Sequence, residues 1–453
     1  MFKENIFKAY DIRGIFNSDF DQQFAYDLGR AFVDLRQKEL AGKKITLLVA
    51  SDMRISSPEI KKSLIEGMLF AGASVVDAGT ISTPTFYFAV SNSQADGGIM
   101  VSASHNPKEW NGFKITREKA LPVSGESGLQ DLKNIILAGN FSEAKTKGEL
   151  ISRNDFLDLQ ISHDFSLVEK EKINSFSIAL DPANGMGAQY LQEMFFKLNC
   201  ELHKMNFELD GNFPNHEADP LKPENVEPLR EFVLDCGADL GITTDGDGDR
   251  IFFVDNEGQV VNPAIVRGVL AKLFLADKPG AKIAYDVRPG RITKDLIEEN
   301  GGTPIITRVG HSLIKEQMLK EGAYFAGESS GHFFLNDQIG CFEMPVVMIL
   351  KILKDLSISG LSSAEYFGRY NKYFQSGEIN LSVDDKEKVF DNLKKKYSDA
   401  KISLLDGISI EYPDFWFNVR ASNTENVVRL NLESLDFDLM QEKRDEVLEV
   451  IKK

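Results

Sequence analysis

Between residue 45 and about residue 355 the chain repeats one local pattern, in which a short apolar stretch is followed by a loop and then by an amphipathic stretch. Short apolar runs bounded by turn residues predict strands, and amphipathic runs predict helices. The strands predicted in this part are residues 45–50, 74–77, 98–102, 176–181, 239–243, 282–287, 304–308 and 323–327. The predicted helices are residues 58–71, 187–198, 226–236, 262–275, 293–300 and 313–319. Because strands alternate with helices, the pattern favours α/β layers with mostly parallel pairing.

Polar or turn-rich stretches interrupt this pattern and mark domain boundaries. They lie near residues 138–147, 255–258 and 358–363. After about Gly368 the pattern changes to a charged helix, three strands and a final helix, which predicts a smaller α+β domain. The predicted domains are residues 1–148, 149–256, 257–366 and 367–453, in keeping with the roughly 100–200 residues of an ordinary domain.

The charge balance and the cysteines exclude several classes of protein. Acidic residues outnumber basic ones by 69 to 52, so sequence-independent nucleic-acid binding, which needs cationic surface, is excluded. Cys200, Cys236 and Cys341 are far apart in sequence and predict neither a zinc site nor a disulfide framework. Residues 1–14 lack the apolar region of a signal peptide, and residues 344–353 are too short to span a membrane. We therefore expect a soluble, cytoplasmic protein with no membrane partner.

Three aspartates alternate with glycine directly after the strand predicted at residues 239–243. Asp245, Asp247 and Asp249 can converge on one hard cation while the glycines let the backbone curl around it. A calcium EF-hand is excluded, because the sixth position of that motif requires Gly and is Arg250 here. The alternative, a solvated acidic turn, brings like charges together without compensation. The motif therefore predicts a Mg²⁺ site.

A second motif, Ser-Ala-Ser-His-Asn-Pro at residues 102–107, follows another predicted strand, and Asn-Gly-Phe-Lys follows at residues 111–114. Ser104 in such a loop is well placed as a nucleophile or phosphoryl carrier. The chain has no Gly-x-Ser-x-Gly segment around it, so a hydrolase triad is not supported. Taken alone, the motif also fits a turn that Asn106 and Pro107 close.

Two further loops carry groups suited to a phosphorylated sugar. Gly-Glu-Ser-Ser-Gly-His at residues 327–332 offers a carboxylate and hydroxyls to sugar hydroxyl groups, or is a capped turn. Arg-Ala-Ser-Asn-Thr-Glu at residues 420–425, followed by Arg429, forms an oxyanion site or a polar hairpin turn. Further cations stand at loop positions, which in an acidic chain favours a phosphorylated ligand: Arg54, Lys114, Arg288, Arg291, Arg308 and Lys315.

Taken in series, these segments resemble the α-D-phosphohexomutase family. The match runs in the family's order from Tyr-Asp-Ile-Arg-Gly at residues 10–14 to residues 420–425, and includes residues 181–187 and 211–216. The resemblance implies three similar mixed α/β domains and a C-terminal TATA-box-binding-protein-like α+β domain around a central cleft. The four domains would supply, in order, the phosphoserine loop, the metal loop, the sugar-binding loop and the phosphate-binding loop.

The resemblance also implies roles for individual residues. Ser104 would be the phosphoserine, and Mg²⁺ would be held by Ser104, Asp245, Asp247 and Asp249. The residues near the reacting groups would be Arg13, Lys114, Arg250 and His311, with Lys114 as the candidate base. The implied substrate contacts are Tyr10, Arg288, Glu328, Ser330, His332, Arg420, Ser422, Asn423, Thr424 and Arg429. Some members of the family have Lys where this chain has Arg288, and Arg presents its charge as a planar fork instead of a point.

The expected activity is that of an intramolecular phosphotransferase, which interconverts hexose 1-phosphate and hexose 6-phosphate through a bisphosphorylated sugar. Ser-Asn-Thr-Glu together with Gly-Glu-x-Ser-Gly-His resembles phosphomannomutases and dual phosphomannomutase/phosphoglucomutases, so we expect mannose and/or glucose as the sugar. Hexose 1,6-bisphosphate is the expected activator, and the protein is expected to be a monomer or a dimer. The alternatives are a phosphoglucosamine mutase, a haloacid-dehalogenase-type phosphatase with Asp245 as nucleophile, and a sugar-phosphate sensor without catalysis.

Overall fold

The computed structural model describes residues 2–288, 290–421 and 427–452, and the chain forms two compact units. The first unit comprises Met1–Val261 and Ser330–Tyr366, and the second comprises Asn262–Ser329 and Phe367–Lys453. The prediction of three α/β layers followed by an α+β domain is confirmed. Within the described residues, no helix is long and apolar enough to cross a membrane.

The first α/β layer contains a mixed six-stranded sheet with strand order β1-β5-β4-β2-β3-β6. Its elements are β1 (Ile12–Ile15), α1 (Gln22–Glu39), β2 (Thr46–Ser51), α2 (Ser57–Phe70), β3 (Ser74–Thr80), α3 (Thr83–Ser91), β4 (Gly97–Val101), β5 (Trp110–Arg117), α4 (Gln130–Ala138) and β6 (Leu150–Ser152). Strand β4 is buried along its whole length, as strands covered on both faces are.

The second α/β layer is a four-stranded sheet with order β10-β9-β7-β8, also in the first unit. Its elements are α5 (Phe156–Ser166), β7 (Ser177–Asp181), α6 (Gly187–Phe196), β8 (Glu201–Lys204), α7 (Pro223–Cys236), β9 (Leu240–Thr244) and β10 (Ile251–Asp255). Pairing in these two layers is mostly parallel, as expected, and the antiparallel pairs among the described strands are β1–β5, β4–β5 and β9–β10. The loops that join β4 to β5 and β9 to β10 are too short for a parallel crossover, which takes a dozen or more residues.

The third layer begins in the second unit with three parallel strands, in the order β12-β11-β13. Its elements there are α8 (Pro263–Asp277), β11 (Lys282–Asp286), α9 (Arg291–Glu299), β12 (Thr303–Thr307), α10 (His311–Glu321) and β13 (Phe325–Gly327). Asn262 caps α8 by accepting a hydrogen bond from the backbone N–H of Ala264.

Residues 330–366 return to the first unit. They form the antiparallel pair β14 (Phe333–Asn336) and β15 (Cys341–Glu343), then α11 (Pro345–Ser359) and the start of α12 (Ser363–Gly368), whose last two residues are assigned to the second unit. Most side chains of α11 are buried. The most apolar stretch of the sequence is thus a core helix, as its short length indicated.

The C-terminal part of the second unit is a five-stranded antiparallel sheet with order β16-β20-β19-β18-β17. Its elements are β16 (Phe374–Ser382), α13 (Lys386–Lys396), β17 (Lys401–Ser403), β18 (Ile408–Glu411), β19 (Phe415–Ala421), β20 (Val427–Ser434) and α14 (Phe437–Ile451). Alternate residues of β18, β19 and β20 pack with α13 and α14 in one apolar core, so the opposite sheet face carries the polar side chains.

Candidate active site

Ser104 lies in the loop between β4 and β5, buried, with a backbone φ of +53°. A non-glycine residue in this left-handed region is strained, and such strain is concentrated at functional sites. Its Oγ donates a hydrogen bond to Asp245 Oδ2 at 2.9 Å and lies 3.2 Å from His105 Nδ1. Burial and the nearby cations Arg250 and Arg13 hold the pKa of His105 well below its usual range. The serine hydroxyl is therefore directed at a carboxylate and sits beside a neutral imidazole.

The three aspartates of the loop between β9 and β10 are buried together. One oxygen from each of Asp245, Asp247 and Asp249 lies within 4.8 Å of the others. Burial, Asp249 and Asp247 together raise the pKa of Asp245 well above its usual value. Asp247 Oδ1 has no hydrogen-bond partner among the residues that the structure describes. Buried carboxylate oxygens that repel one another and include an unpartnered atom fit a divalent cation that prefers oxygen ligands.

Lys114, on β5, neutralises part of this charge. Its Nζ lies 2.6 Å from Asp247 Oδ2 and 2.5 Å from Asp249 Oδ2. Burial lowers the pKa of Lys114, but the two carboxylates outweigh burial and raise it well above its usual value. For Asp249, burial raises the pKa, whereas Lys114 and His332 lower it to well below its usual range. Lys114 is therefore an ammonium group in this arrangement.

Two arginines flank the serine and the aspartates. Arg13 on β1 donates to Asp11 Oδ2 at 2.7 Å and to Asn106 Oδ1 at 2.8 Å. The second bond links Arg13 to the loop at residues 102–109, between β4 and β5, which contains Ser104 and is called the serine loop below. The backbone N–H of Arg250 donates to Asp245 Oδ1 at 3.1 Å. The Nε and Nη1 atoms of Arg250 are buried and make no hydrogen bond within the described part of the chain. They lie 3.6 Å from Asp245 Oδ2 and 3.7 Å from Asp219 Oδ1, so their N–H groups pair with carboxylates at long range and can still donate to an anionic ligand.

His332 joins the metal loop to the end of the third predicted motif. Its Nε2 lies 3.0 Å from Asp249 Oδ1, and its Nδ1 lies 3.0 Å from Ser330 Oγ. Both residues belong to the first unit, whereas Glu328 of the same motif belongs to the second. The motif is thus divided, and His332 orients one of the aspartates as well as its own loop.

Glu328 is part of a charge network at the ends of β11 and β13. Its Oε1 accepts a hydrogen bond from the N–H of Gly310 at 3.0 Å and lies 3.2 Å from Arg288 Nη2. Arg288 also binds Asp286 at 2.6 Å, and Asp286 is a partner of the buried Arg267. Burial lowers the pKa of Arg288, but Asp286 and Glu328 raise it above its usual value. The carboxylate of Glu328, which is predicted to hydrogen-bond sugar hydroxyls, is therefore held in place by Arg288.

The remaining predicted residues are placed as follows. Arg420 on β19 and Arg429 on β20 are register partners in the C-terminal sheet. His311 is the first residue of α10, and Tyr10 is partly buried just before β1. Ser422, Asn423 and Thr424 lie outside the described residues.

Glu378, which the sequence analysis did not identify, lies between Arg420 and Arg429. Its carboxylate accepts from Arg420 Nη2 at 3.1 Å and from Arg429 Nη1 at 3.3 Å. Burial raises the pKa of Glu378, but Arg420, Arg288 and Arg429 lower it to below its usual value. No motif marks this residue, because its partners are more than forty positions away in sequence.

Thr83 is a second residue that the sequence did not reveal. Its Oγ1 donates to Asp247 Oδ2 at 2.7 Å, and its N–H donates to the Asp247 carbonyl at 3.0 Å. Thr83 begins α3 in the first layer, whereas Asp247 belongs to the second. It fixes the orientation of one carboxylate of the candidate metal site.

Two of the cations at loop positions, Arg54 and Arg291, bind backbone oxygens of the protein itself. Arg54 is fully buried and donates to backbone carbonyls of the serine loop, among them that of Ser104 at 2.8 Å. Arg291 donates to the carbonyls of Tyr412, Pro413 and Phe415 in the C-terminal sheet. Both guanidinium groups satisfy buried or partly buried backbone oxygens.

Comparison with known proteins agrees with this arrangement. The chain matches four family models of phosphoglucomutase/phosphomannomutase: alpha/beta/alpha domain I at residues 4–143, domain II at 155–258, domain III at 263–373, and the C-terminal domain at 378–450. A phosphomannomutase of Methanocaldococcus jannaschii is 39% identical, covering 99% of this chain and 98% of the relative. A phosphomannomutase/phosphoglucomutase of Pseudomonas syringae is 36% identical, covering 95% and 91%.

The solved structures agree as well. A phosphoglucomutase/phosphomannomutase family protein of Burkholderia thailandensis superposes with a TM-score of 0.91 at 31% identity, covering 100% of this chain and 98% of that one. The chain therefore belongs to the phosphoglucomutase/phosphomannomutase family, as the sequence motifs predicted.

The position of Glu378 yields a prediction about stability and pH. Its pKa is lowered on folding, so its ion pairs stabilise the protein above the unfolded-state pKa of about 4.3 and lose that contribution as the pH falls below it. Glu378 is partly exposed, so we expect Glu378→Gln to lower stability at pH 7 by roughly 1 kcal/mol. Chemical unfolding from pH 7 to pH 3.5 measures the difference, which should shrink towards acid pH. Glu449→Gln, at an exposed position of α14 outside these ion pairs, is the control, and a difference independent of pH would contradict the assignment.

Proposed function

We propose that this chain is a phosphohexomutase that interconverts hexose 1-phosphate and hexose 6-phosphate, with mannose and/or glucose as the sugar. The observation that carries the proposal is the 2.9 Å hydrogen bond from Ser104 Oγ to Asp245 at the edge of a buried cluster of three carboxylates. Names of relatives across nearly the whole chain support the same activity. A cytoplasmic location and a monomer or dimer stay predictions from the sequence.

We further propose that Asp245, Asp247 and Asp249 hold Mg²⁺, with an oxygen of phosphorylated Ser104 as a further ligand. The proposal rests on the buried carboxylates and on the unpartnered Oδ1 of Asp247. A bound Mg²⁺ neutralises charge on the phosphoryl group and acts as a Lewis acid. Thr83 and His332 keep two of the three carboxylates in position through their hydrogen bonds.

In the proposed reaction, the phosphoryl group leaves Ser104 Oγ and bonds to the free hydroxyl oxygen of the sugar monophosphate, giving a hexose 1,6-bisphosphate. Lys114, an ammonium group at rest, is our candidate base: it gives one proton to the departing Ser104 Oγ and then, as the amine, takes the hydroxyl proton. The bisphosphate then turns over, and its other phosphoryl group is transferred back to Ser104 Oγ. Phosphoryl transfer depends mainly on positioning and on neutralisation of charge. Arg13 and the guanidinium group of Arg250, whose Nε and Nη1 make no hydrogen bond among the described residues, supply that charge.

The other predicted residues are proposed to hold the sugar and the phosphate that does not react. Glu328 and Ser330 are proposed to hydrogen-bond the hydroxyl groups of the sugar. By resemblance to the family, Tyr10, Arg288 and His332 are proposed as further substrate contacts, and His311 is proposed to lie near the reacting groups. Arg420, Ser422, Asn423, Thr424 and Arg429 are the proposed site for the non-reacting phosphate. Hexose 1,6-bisphosphate is the proposed activator, because it phosphorylates Ser104 when the enzyme has lost its phosphate.

The phosphatase alternative places the nucleophile at Asp245. That alternative gives Ser104 no role, whereas the structure directs the Ser104 Oγ at Asp245 Oδ2 through a hydrogen bond of 2.9 Å. This arrangement favours Ser104 as the phosphoryl carrier. A phosphoglucosamine mutase shares the same chemistry, and a coupled assay with mannose, glucose and glucosamine 1-phosphates separates it from the proposed activity.

Replacing the phosphoryl carrier gives the first test of this function. Ser104→Ala should lower kcat by roughly three orders of magnitude or more, the scale seen when a nucleophile is removed, while hexose phosphate still binds. Intact-mass spectrometry should show one phosphoryl group on the wild type after incubation with glucose 1,6-bisphosphate, and none on the variant. Ser166→Ala, at an exposed serine, is the control. A near-wild-type rate in Ser104→Ala would exclude the phosphoserine mechanism.

The metal site can be tested without measuring activity. A ligand at about 100 times its Kd adds roughly 2.7 kcal/mol to the stability of the form that binds it, so Mg²⁺ should raise the Tm of the wild type in a chelator-treated sample. Asp245→Asn should remove most of that rise, and its own Tm in chelator should not fall, because one buried like charge is gone. Asp255→Asn changes a buried turn aspartate outside the cluster and should keep the Mg²⁺ response. An equal response in Asp245→Asn would exclude this site.

Replacing Arg420 in the proposed phosphate site should impair both substrates equally. A charge-assisted hydrogen bond contributes about 1.5–3 kcal/mol, so Arg420→Ala should lower kcat/KM on the order of 10–100-fold. The loss should be similar for hexose 1-phosphate and 6-phosphate, because one site holds whichever phosphate is not reacting. Arg444→Ala, at a partly buried arginine of α14 far in sequence from the phosphate site, is the matched control. A loss confined to one substrate would show that Arg420 does not serve both orientations.

A further inference from the structure

The backbone of the serine loop converges on one side chain. Arg54 lies between β2 and α2, and its Nη2 donates to the carbonyls of Ser104 at 2.8 Å and Asn106 at 2.6 Å. Its Nη1 donates to the carbonyls of Pro107 at 2.8 Å and Trp110 at 3.0 Å. Three carbonyl oxygens of the loop and that of Trp110, the first residue of β5, therefore accept hydrogen bonds from a single guanidinium group.

Arg54 has no capacity left for a ligand. Its Nε donates to Asp52 Oδ2 at 3.2 Å, so all five N–H groups of the guanidinium are engaged within the protein. Asp52 is itself fixed, because it accepts from the Arg54 backbone N–H at 3.0 Å and from Ser57 Oγ at 2.6 Å. The Arg54 side chain has no exposed surface. This residue can act on a substrate only through the loop that it holds.

The motif at residues 211–216, which the proposed reaction does not use, covers Arg54. The ring centroid of Phe213 lies 5.2 Å from the guanidinium carbon. A Cβ on Gly211 would come within 2.7–2.8 Å of the backbone of Met53, Arg54 and Ile55, so only glycine permits this close approach. Met53 also packs against the small cluster that contains Phe213. The second layer thus holds the guanidinium of the first layer in place.

We propose that Arg54 is a positioning residue for phosphoryl transfer, which holds the backbone of residues 104–110 so that Ser104 Oγ stays beside the three aspartates, with Phe213 keeping the guanidinium in plane. Ser104 has a φ of +53°, so the loop needs an external constraint to keep this conformation. A displacement of about 1 Å at a reacting group can cost on the order of 100-fold in rate. The inference rests on the proposed role of Ser104.

Lysine cannot replace this arginine, although it keeps the charge. An ammonium group presents three donors from one atom, whereas the planar fork of arginine reaches four carbonyls and a carboxylate at once. Arg54→Lys should therefore leave carbonyls of the serine loop without donors and release the loop. Arg36 offers a matched control, because it is also buried in the first unit and donates to the carbonyl of Asp96 and to Glu39 and Glu118, away from the serine loop.

The experiment compares Arg54→Lys, Arg54→Ala and Arg36→Lys in the full chain with hexose 1-phosphate as substrate. We expect both Arg54 variants to lose at least about 30-fold in kcat, with KM changed less than about threefold, because the substrate contacts remain. Arg36→Lys should lower the Tm while keeping kcat within about twofold. Millimolar guanidinium should restore part of the kcat of Arg54→Ala, and should not do so for Arg54→Lys, whose side chain fills the space.

Hydrogen exchange supplies a readout that does not depend on activity. Peptides covering residues 102–111 should exchange faster in Arg54→Lys than in the wild type, and Arg36→Lys should leave them unchanged. If both Arg54 variants are too unstable to assay, Phe213→Leu takes their place and should lower kcat with KM unchanged. Wild-type kcat in the Arg54 variants, or equal losses in Arg36→Lys, would overturn the inference. A wild type without mutase activity would instead overturn the proposed function, whatever the exchange result.

Discussion

The rest of the candidate active site depends on the burial of three like charges in one loop. Asp245, Asp247 and Asp249 have almost no exposed surface, and like charges in such a place are costly unless cations compensate them. Lys114 contributes one compensating charge in direct contact with two of the carboxylates. A divalent cation could supply the rest, because the three carboxylate oxygens lie close enough together to hold one.

The strained serine follows from this arrangement. Ser104 must present its hydroxyl to Asp245 from a loop that is short enough to join two antiparallel strands. A residue in the left-handed region keeps that conformation only where its surroundings determine it. Here the determinants are backbone carbonyls bound by Arg54, and Arg54 is in turn covered by Phe213. Loop conformation and hydroxyl position are therefore consequences of packing between the first two layers.

Arginine–carboxylate networks organise the second unit in a similar way. Arg288 links Asp286 to Glu328, and Glu378 links Arg420 to Arg429. In each network a carboxylate keeps arginine side chains ordered before a ligand arrives, which reduces the conformational entropy that binding would otherwise cost. Pre-organised cations of this kind suit a site for a sugar phosphate.

The sequence by itself determined the α/β layers, the family and the two loops that hold Ser104 and the three aspartates. These features are local. Strand and helix periodicity extends over a few residues, and Asp-Gly-Asp-Gly-Asp places three carboxylates within five consecutive residues. It did not determine the antiparallel pairs β4–β5 and β9–β10, or the roles of Arg54, Thr83 and Glu378. Arg54 acts on a loop 50 positions away, and Thr83 acts on an aspartate 164 positions away. Such contacts arise only when the folded layers bring distant segments together, because a hydrogen bond depends on distance in space and leaves no periodic trace in the chain. For that reason the tertiary structure alone decided that Arg54 and Arg291 bind backbone carbonyls, although their loop positions had indicated a ligand.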